Sequence, residues 1–201
     1  MGPRPLAVAA ASTTDDGDVL ALVDRGDVRG ALAVLMRRHG VPVYRFCRQM
    51  LRDEALADDV HQQVFVQAFR DLPRFERRSM VRTWLFGIAR HRCLDAIKVE
   101  GRRGRRFPLD DEPAAGEEAP DASALDQLAL GQLAGALEHC LDELAPATKS
   151  AVLLRYREGL GFEEIASAFA EKAGTLQARV ARALPLLRRC LERRLKDGEA
   201  A

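Results

Sequence analysis

The chain has 201 residues, enough for one medium domain or two small ones, and its 47% hydrophobic content permits packed cores. Charged residues make up 30% of the sequence, and no apolar run is long enough to cross a bilayer, which argues against an integral membrane protein. The net charge of +1 is the average of three unlike stretches. Residues 1–106 are basic, with 20 Lys and Arg against 13 Asp and Glu, and residues 107–126 are acidic, with 7 acids and no base. Residues 127–201 are nearly neutral, with 11 Lys and Arg against 10 Asp and Glu.

Residues 1–17 are predicted to form a disordered tail. Their apolar run, LAVAAA, is short and follows two prolines, which argues against a signal peptide. Strand patterns are nearly absent, so the fold class is predicted to be all-α, with two small helical domains joined by an acidic flexible linker. In the first domain, residues 18–103, helices are expected at 18–25, 28–39, 41–52, 54–71 and 80–101.

The helix at 54–71 separates apolar from polar side chains. Its apolar side is expected to carry Val60, Val64, Ala68 and Phe69. Asp59, Gln62, Gln63 and Arg70 lie largely off that side. An ordinary amphipathic helix explains this pattern as well as a binding surface does.

A loop with four arginines and a phenylalanine, Leu72 to Trp84, leads into the helix at 80–101. On that helix Leu85, Ala89, Cys93 and Ile97 recur at four-residue steps and are expected to be buried. Another stripe carries Trp84, His91, Asp95, Lys98 and Arg102. An aromatic ring beside cations is typical of single-stranded nucleic acid binding, where bases stack on rings and phosphates meet positive charge. The alternative is a solvated charged face whose tryptophan packs half-buried against a neighbouring helix.

The residues that follow are predicted to be a linker, 104–123, and a second domain, 124–196. The linker holds prolines and acidic clusters and has almost nothing to bury. Helices of the second domain are expected at 124–143, 147–158, 162–169 and 172–193. The last two helices are predicted to form a helix-turn-helix. The buried stripe of its second helix is expected to consist of Leu176, Val180, Ala183, Leu184 and Leu187. A plain helical hairpin with surface arginines is the alternative. Pro185, inside the last helix, should bend it or cost about 3 kcal/mol.

The four cysteines are far apart and show no metal-binding spacing. We therefore expect reduced cysteines in helical cores, no metal and no cofactor. Neither a glycine-rich phosphate loop nor a nucleophile with its base is apparent, so the chain is not expected to be an enzyme.

Four segments resemble extracytoplasmic-function sigma factors of the sigma-70 family of bacterial RNA polymerase. VRTWLFGIARHRCLDAIK (Val81 to Lys98) is similar to the family pattern R-x-W-L-x-x-I-A-R-N-x-x-L-D-x-x-R of region 2. ADDVHQQVFVQAF resembles its A-E-D-x-x-Q-E-x-F-x-x-A block, and RHGVPVYRFCRQML its opening helix. Leu144 to Leu184 resembles the helix-turn-helix of region 4. The resemblance implies a transcription initiation factor that directs core polymerase to specific promoters and melts the −10 element.

The same resemblance implies which residues bind. The polymerase-binding positions would be Asp58, Asp59, Gln62 and Phe65. Contacts to the −10 element, including a pocket for a flipped base, would come from Phe75, Arg77, Arg78, Arg82, Trp84, Arg90, His91 and Lys98. Contacts to the −35 element would come from Lys172, Thr175, Gln177, Arg179 and Arg182.

Several positions depart from the family pattern. His91 replaces the asparagine after I-A-R, which affects base preference, and Ala170 replaces the turn glycine. Glu171 and Lys172 replace an apolar-proline pair. These changes keep two alternatives open: a polymerase-binding adaptor with degenerate promoter recognition, or a stand-alone helix-turn-helix repressor. The expected partners are core RNA polymerase, promoter DNA and an anti-sigma factor, for a cytoplasmic protein without membrane insertion that is a monomer when free.

Overall fold

The computed structural model describes residues 16–102 and 124–199, and all regular elements in these two stretches are helical. The predicted linker, 104–123, and most of the predicted tail, residues 1–15, lie outside the described residues. The helices are α1 (Gly17–Asp24), α2 (Val28–Leu51), α3 (Glu54–Asp71), α4 (Val81–Arg102), α5 (Ala124–Asp142), α6 (Pro146–Tyr156), α7 (Phe162–Phe169) and α8 (Ala173–Glu199), with a 3₁₀ turn at Leu72–Arg74. The predicted all-α fold class is confirmed. None of the helices in the described ranges has the length and apolarity to span a membrane.

Helices α1 to α4 form the first domain around a shared apolar core. Asp27 and Asp53 begin α2 and α3 by accepting hydrogen bonds from the Gly30 and Leu56 amides at 2.8 Å, which satisfies N–H groups that lack helical partners. The largest fully buried side chains of this domain are Phe46, Phe86, Leu35, Leu51, Leu72 and Leu85. Phe69 does not belong to this core as predicted, because 39% of it is exposed.

Helix α2 is continuous, whereas the sequence predicted separate helices at 28–39 and 41–52. Pro42 lies inside it and lacks the N–H that the helix would use at that point. The neighbouring Gly40 carbonyl accepts a hydrogen bond from His61 Nε2 of α3, at 3.1 Å. This contact and the buried residues on both sides of the proline, Leu35 and Val43, hold the two halves in one helix.

Helices α5 to α8 form the second domain, with Leu154, Ile165, Leu176 and Val180 in its core. Helix α8 runs through Pro185 to its end at Glu199. Pro185 is exposed, so water can hydrate the carbonyl that the proline leaves without a partner. Leu184 was predicted in the buried stripe but is 39% exposed.

The expectation that all four cysteines are reduced is wrong for one pair. Cys140 of α5 and Cys190 of α8 form a disulfide whose Cα atoms are 5.7 Å apart. Their separation of 50 residues carries no local signal, because only the packing of α5 on α8 brings them together. Cys47 and Cys93 are buried free thiols, and the sulfur hydrogen bond between them, together with burial, raises the pKa of Cys93.

The turn between α7 and α8 contains a non-glycine residue with left-handed backbone. Ala170 has φ +51°, where a side chain is strained and glycine is not. We expect Ala170→Gly to stabilise the domain by about 0.5–1 kcal/mol in denaturant unfolding. Ala178→Gly is the matched control, since Ala178 is exposed within α8 and its replacement should destabilise by about the same amount. If both substitutions changed the free energy of unfolding by the same amount and in the same direction, Ala170 would not carry backbone strain.

Candidate nucleic-acid interface

Helix α4 has the two faces that its sequence predicted. Leu85, Ala89 and Cys93 are fully buried, whereas His91 and Lys98 project outward with 73% and 71% of their side chains exposed. His91 Nε2 lies 3.1 Å from an oxygen of Asp95, and the Lys98 ammonium is 3.6 Å from the same carboxylate. Trp84 is half-buried and packs against the apolar core.

The loop before α4 brings a second aromatic ring against Trp84. The ring centroids of Phe75 and Trp84 are 5.1 Å apart, with the planes inclined at 46°. Arg77, in the same loop, has a left-handed backbone with φ +56° and pairs with Asp24 of α1. Arg78 pairs with Glu76, two residues before it, and is 80% exposed. The loop therefore offers rings and solvent-accessible guanidinium groups together.

Phe75, Arg78 and Trp84 border an open cavity of about 730 Å³. It is lined from α3, the loop and α4 by Gln67, Asp71, Arg74, Phe75, Glu76, Arg78, Ser79, Trp84, Gly87, Ile88, His91 and Arg92. Ser167 and Ala168 of α7 complete the wall from the second domain. A cavity with stacking rings and cations at its rim can accept an unstacked base.

The polar part of the cavity wall is a hydrogen-bonded chain that sequence reasoning missed. Arg92 donates to the Gln67 side-chain oxygen at 2.7 Å, and the Gln67 amide donates to Asp71 at 2.6 Å. The four-residue spacing of Gln67 and Asp71 on α3 is the only signal the sequence offered. Such fixed donors and acceptors can read the edge of a base.

Two of the predicted −10 residues lie in the interface between the domains instead of on the free face. Arg82 donates to the Glu158 carbonyl at 2.7 Å and to its carboxylate at 3.0 Å. Burial raises the pKa of Glu158, although the Arg82 charge opposes that shift. Arg90 stacks on the Phe169 ring at 3.7 Å and contacts Glu171 at 3.2 Å. Both arginines are therefore occupied by the second domain.

The predicted polymerase-binding residues lie on α3, away from the cavity. Asp58, Asp59 and Gln62 are exposed on this helix. Phe65 is only 4% exposed, and its ring packs edge-on against His61 with centroids 5.1 Å apart. Phe65 thus lies beneath this surface in the core, and its part in polymerase binding stays a prediction.

The predicted −35 residues surround the start of α8. Lys172, Thr175, Gln177 and Arg182 are exposed there, while Leu176 and Val180 are buried against the domain. The Arg179 side chain points towards the turn between α7 and α8, because its guanidinium donates a hydrogen bond to the Glu171 carboxylate at 2.6 Å. The arrangement is that of a helix-turn-helix, α7 followed by α8, with polar side chains at the exposed beginning of the second helix.

No group of three or more His, Cys, Asp or Glu side chains within the described residues could hold a metal ion. The residues nominated for DNA contact are instead aromatic, cationic, amide or hydroxyl side chains. Two helical domains, one with this cavity and one with a helix-turn-helix, define a DNA-binding protein of the transcription-factor type.

Comparison with known proteins identifies the family. Residues 35–103 match Sigma-70 region 2, and residues 134–187 match Sigma-70, region 4. SigC, an ECF RNA polymerase sigma factor of Mycobacterium tuberculosis, is 33% identical over 177 residues, which are 86% of this chain and 91% of SigC. The chain belongs to the extracytoplasmic-function sigma factors of the sigma-70 family, which are promoter-directing transcription initiation factors.

A further relative is similar in sequence, and two solved structures are similar in fold. SigE of Mycolicibacterium smegmatis is 31% identical over 156 residues, and these are 77% of this chain and 59% of SigE. CnrH, solved in complex with the cytosolic domain of CnrY, has a TM-score of 0.63 at 24% identity, covering 88% of this chain and 97% of CnrH. RpoE of Bartonella quintana, solved with the anti-sigma factor NepR, has a TM-score of 0.62 at 20% identity, covering 83% of this chain and 97% of RpoE.

Proposed function

We propose that the first domain binds core RNA polymerase through the exposed α3 surface and captures an unstacked base of the −10 element in the cavity beside α4. The second domain binds the −35 element through the start of α8. The observation that carries the proposal is the pairing of Phe75 and Trp84 at the rim of a cavity with a polar wall. The chain itself would be non-enzymatic and cytoplasmic, and RNA synthesis would belong to the polymerase.

The decisive experiment is in vitro transcription with purified core polymerase and a library of promoter sequences. The chain should produce transcripts from a subset of promoters that share −10 and −35 sequences, and core polymerase alone should not. Core binding without promoter selection would favour an adaptor instead. Operator binding without polymerase would favour a stand-alone repressor.

An anti-sigma factor is the expected regulator of this protein. Two of the structural neighbours were solved as complexes, RpoE with the anti-sigma factor NepR and CnrH with the cytosolic domain of CnrY. We propose that this chain also takes such a partner when it is not bound to polymerase. Co-purification of the chain with a candidate anti-sigma protein, and its displacement by core polymerase, would test this.

Loss of the Trp84 ring should impair promoter opening. Base stacking on an aromatic ring contributes about 1–3 kcal/mol, so Trp84→Ala should slow opening of a closed promoter by about one to two decades. Binding to a pre-melted fork should suffer less. Trp84→Phe is the control, since it keeps a stacking surface. Normal opening by Trp84→Ala would exclude the stacking role, and a collapsed melting temperature would show that the ring is mainly structural.

Two arginines of α8 should differ in what they contribute to −35 binding. If Arg182, which is exposed, meets a phosphate, Arg182→Ala should weaken binding equally on all promoters and reduce the salt slope by about one. If Arg179 reads a base edge, Arg179→Ala should cost about 1–3 kcal/mol at one promoter position. The measurement is holoenzyme binding to single-base promoter variants at two salt concentrations. Arg188→Ala, far along α8, is the control, and wild-type binding by both test variants would favour the adaptor.

A further inference from the structure

Helix α1 is fixed to α2 at both of its ends. At its start, the Arg38 guanidinium of α2 donates to Asp16 at 2.6 Å and to the two oxygens of Asp18 at 3.0 and 2.8 Å. At its end, the turn into α2 is closed by Gly26, which has a left-handed backbone with φ +80° and donates its amide to the Val23 carbonyl at 2.9 Å. Helix α1 is therefore held as a fixed part of the first domain.

The last residue of α1, Asp24, reaches the loop that borders the base cavity. Its carboxylate pairs with the Arg77 guanidinium, although the two residues are 53 positions apart in the sequence. Both side chains are about half exposed, at 56% and 50%. Helix α1 precedes residues 35–103, which match Sigma-70 region 2, so that match assigns no role to Asp24.

Arg77 is also the residue at which the loop backbone is strained. Its φ of +56° is left-handed, a conformation that a residue with a side chain adopts only at a cost in free energy. A backbone of this kind persists where the surrounding structure holds it in place. The pair with Asp24 ties this strained residue to the fixed end of α1. We therefore expect the course of the loop at Arg77 to depend on α1.

The strained residue lies between two side chains of the cavity wall. Among the described residues, the wall includes Phe75 and Arg78 but not Arg77 itself. The Phe75 ring contacts Trp84 with centroids 5.1 Å apart. Because Phe75 is only two residues before Arg77, a different backbone conformation at Arg77 would move the Phe75 ring away from Trp84.

We propose that Asp24 is a positioning residue for base capture: by holding Arg77, it keeps the loop in the conformation that places Phe75 against Trp84. Arg77 then anchors the loop and does not contact DNA, whereas the family resemblance assigns it to the −10 element. The proposal rests on the proposed function, because it assumes that the cavity takes an unstacked base. It gives α1 a part in promoter opening.

Loop release can be measured without DNA or polymerase, because Trp84 is the single tryptophan of the chain. Quenching of its fluorescence by acrylamide should be stronger in Asp24→Ala and in Arg77→Ala than in wild type, since both variants lose the pair and keep a strained residue at position 77. Arg77→Gly should be quenched less than Arg77→Ala, because glycine adopts positive φ without strain. Wild-type quenching in Asp24→Ala would overturn the proposal.

A charge-swapped variant, Asp24→Arg with Arg77→Asp, is the matched control for the pair. It restores opposite charges at the two positions with the net charge unchanged, and aspartate tolerates a left-handed backbone better than most residues. Its quenching should return towards wild type, whereas each single charge reversal should be quenched more strongly. A swapped variant as strongly quenched as the single reversals would overturn the proposal.

The functional consequence is measured as the rate at which the holoenzyme opens a closed promoter recovered from the promoter library. An exposed ion pair contributes little, so Asp24→Ala and Arg77→Ala should each slow opening by about two- to five-fold. The double variant should be no slower than either single variant, because both remove the same contact. Arg77→Gly should open the promoter faster than Arg77→Ala.

A direct contact between Arg77 and DNA predicts a different pattern. Arg77→Gly and Arg77→Ala would then be equally slow, because both lack the guanidinium. Asp24→Ala, which removes a negative charge beside that guanidinium, would open the promoter as fast as wild type or faster. This pattern would overturn the proposal, and so would stronger quenching with unchanged opening rates.

The two proposals fail in different ways. If wild type neither binds core polymerase nor opens any promoter, the proposed function is wrong, while the quenching comparison still decides whether Asp24 holds the loop. If wild type opens promoters and Asp24→Ala matches it in both assays, the proposed function stands and the positioning role of Asp24 does not.

Discussion

Replacing Asp59 and Gln62 together with arginine is expected to abolish binding to core RNA polymerase. Both side chains are exposed on α3, whereas Val60 and Val64 of the same helix are buried, so the change alters the surface and leaves the core intact. It reverses one charge and adds another at the centre of the proposed polymerase contact. Like charges brought together in an interface cost several kcal/mol, so affinity should fall by about 100-fold or more.

The measurement is co-purification of the double variant with core polymerase, followed by titration. Circular dichroism should show unchanged helical content. Ala33→Arg with Met36→Arg is the control, because both positions are exposed on α2 and have the same three-residue spacing. Undiminished core binding by the α3 variant would show that the polymerase surface has been placed on the wrong helix face.

Reduction of the Cys140–Cys190 disulfide should destabilise the second domain by about 4 kcal/mol, the loop-closure entropy expected for a cross-link between residues that are 50 positions apart. The disulfide joins the first and last helices of this domain, so forming it removes much of the conformational entropy of the unfolded domain. Urea unfolding of the oxidised and reduced wild-type chain should show a large difference in midpoint.

The double variant Cys140→Ala with Cys190→Ala should unfold near the reduced wild type and should not respond to reductant. This control separates the cross-link from Cys47 and Cys93, which remain free thiols in every sample. Coincident midpoints for oxidised and reduced wild type would contradict a stabilising disulfide.

Local sequence patterns predicted the helices and their faces well, because periodicity and capping act within a few residues. The buried row Leu85, Ala89 and Cys93 and the exposed His91 and Lys98 on α4 follow directly from a step of about 100° per residue. Where a prediction of this kind failed, tertiary contacts determined the structure instead of the local pattern. Pro42 would end an isolated helix, but burial on both sides of it keeps α2 in one piece.

Contacts between distant residues were not predictable from the pattern. Arg82 and Arg90 were predicted to contact the −10 element, but the sequence could not show that Glu158 and Phe169 of the other domain cover them. The disulfide was missed for the same reason. Family resemblance assigns Phe65 to polymerase binding, and its burial in the core could not be predicted from the motif, because a motif records residue type and not solvent exposure.

Gly87 lies at the contact between α4 of the first domain and α7 of the second. A methyl group at this position would lie 3.2 Å from the Ala168 carbonyl oxygen, so α4 or α7 would have to shift by a few tenths of an ångström to admit a larger residue. Lineages of this protein in which that contact matters should therefore retain glycine at position 87. Lineages in which it no longer matters are free to accumulate alanine or serine there. The residues found at position 87 among relatives thus record whether the contact between the two domains has been under selection.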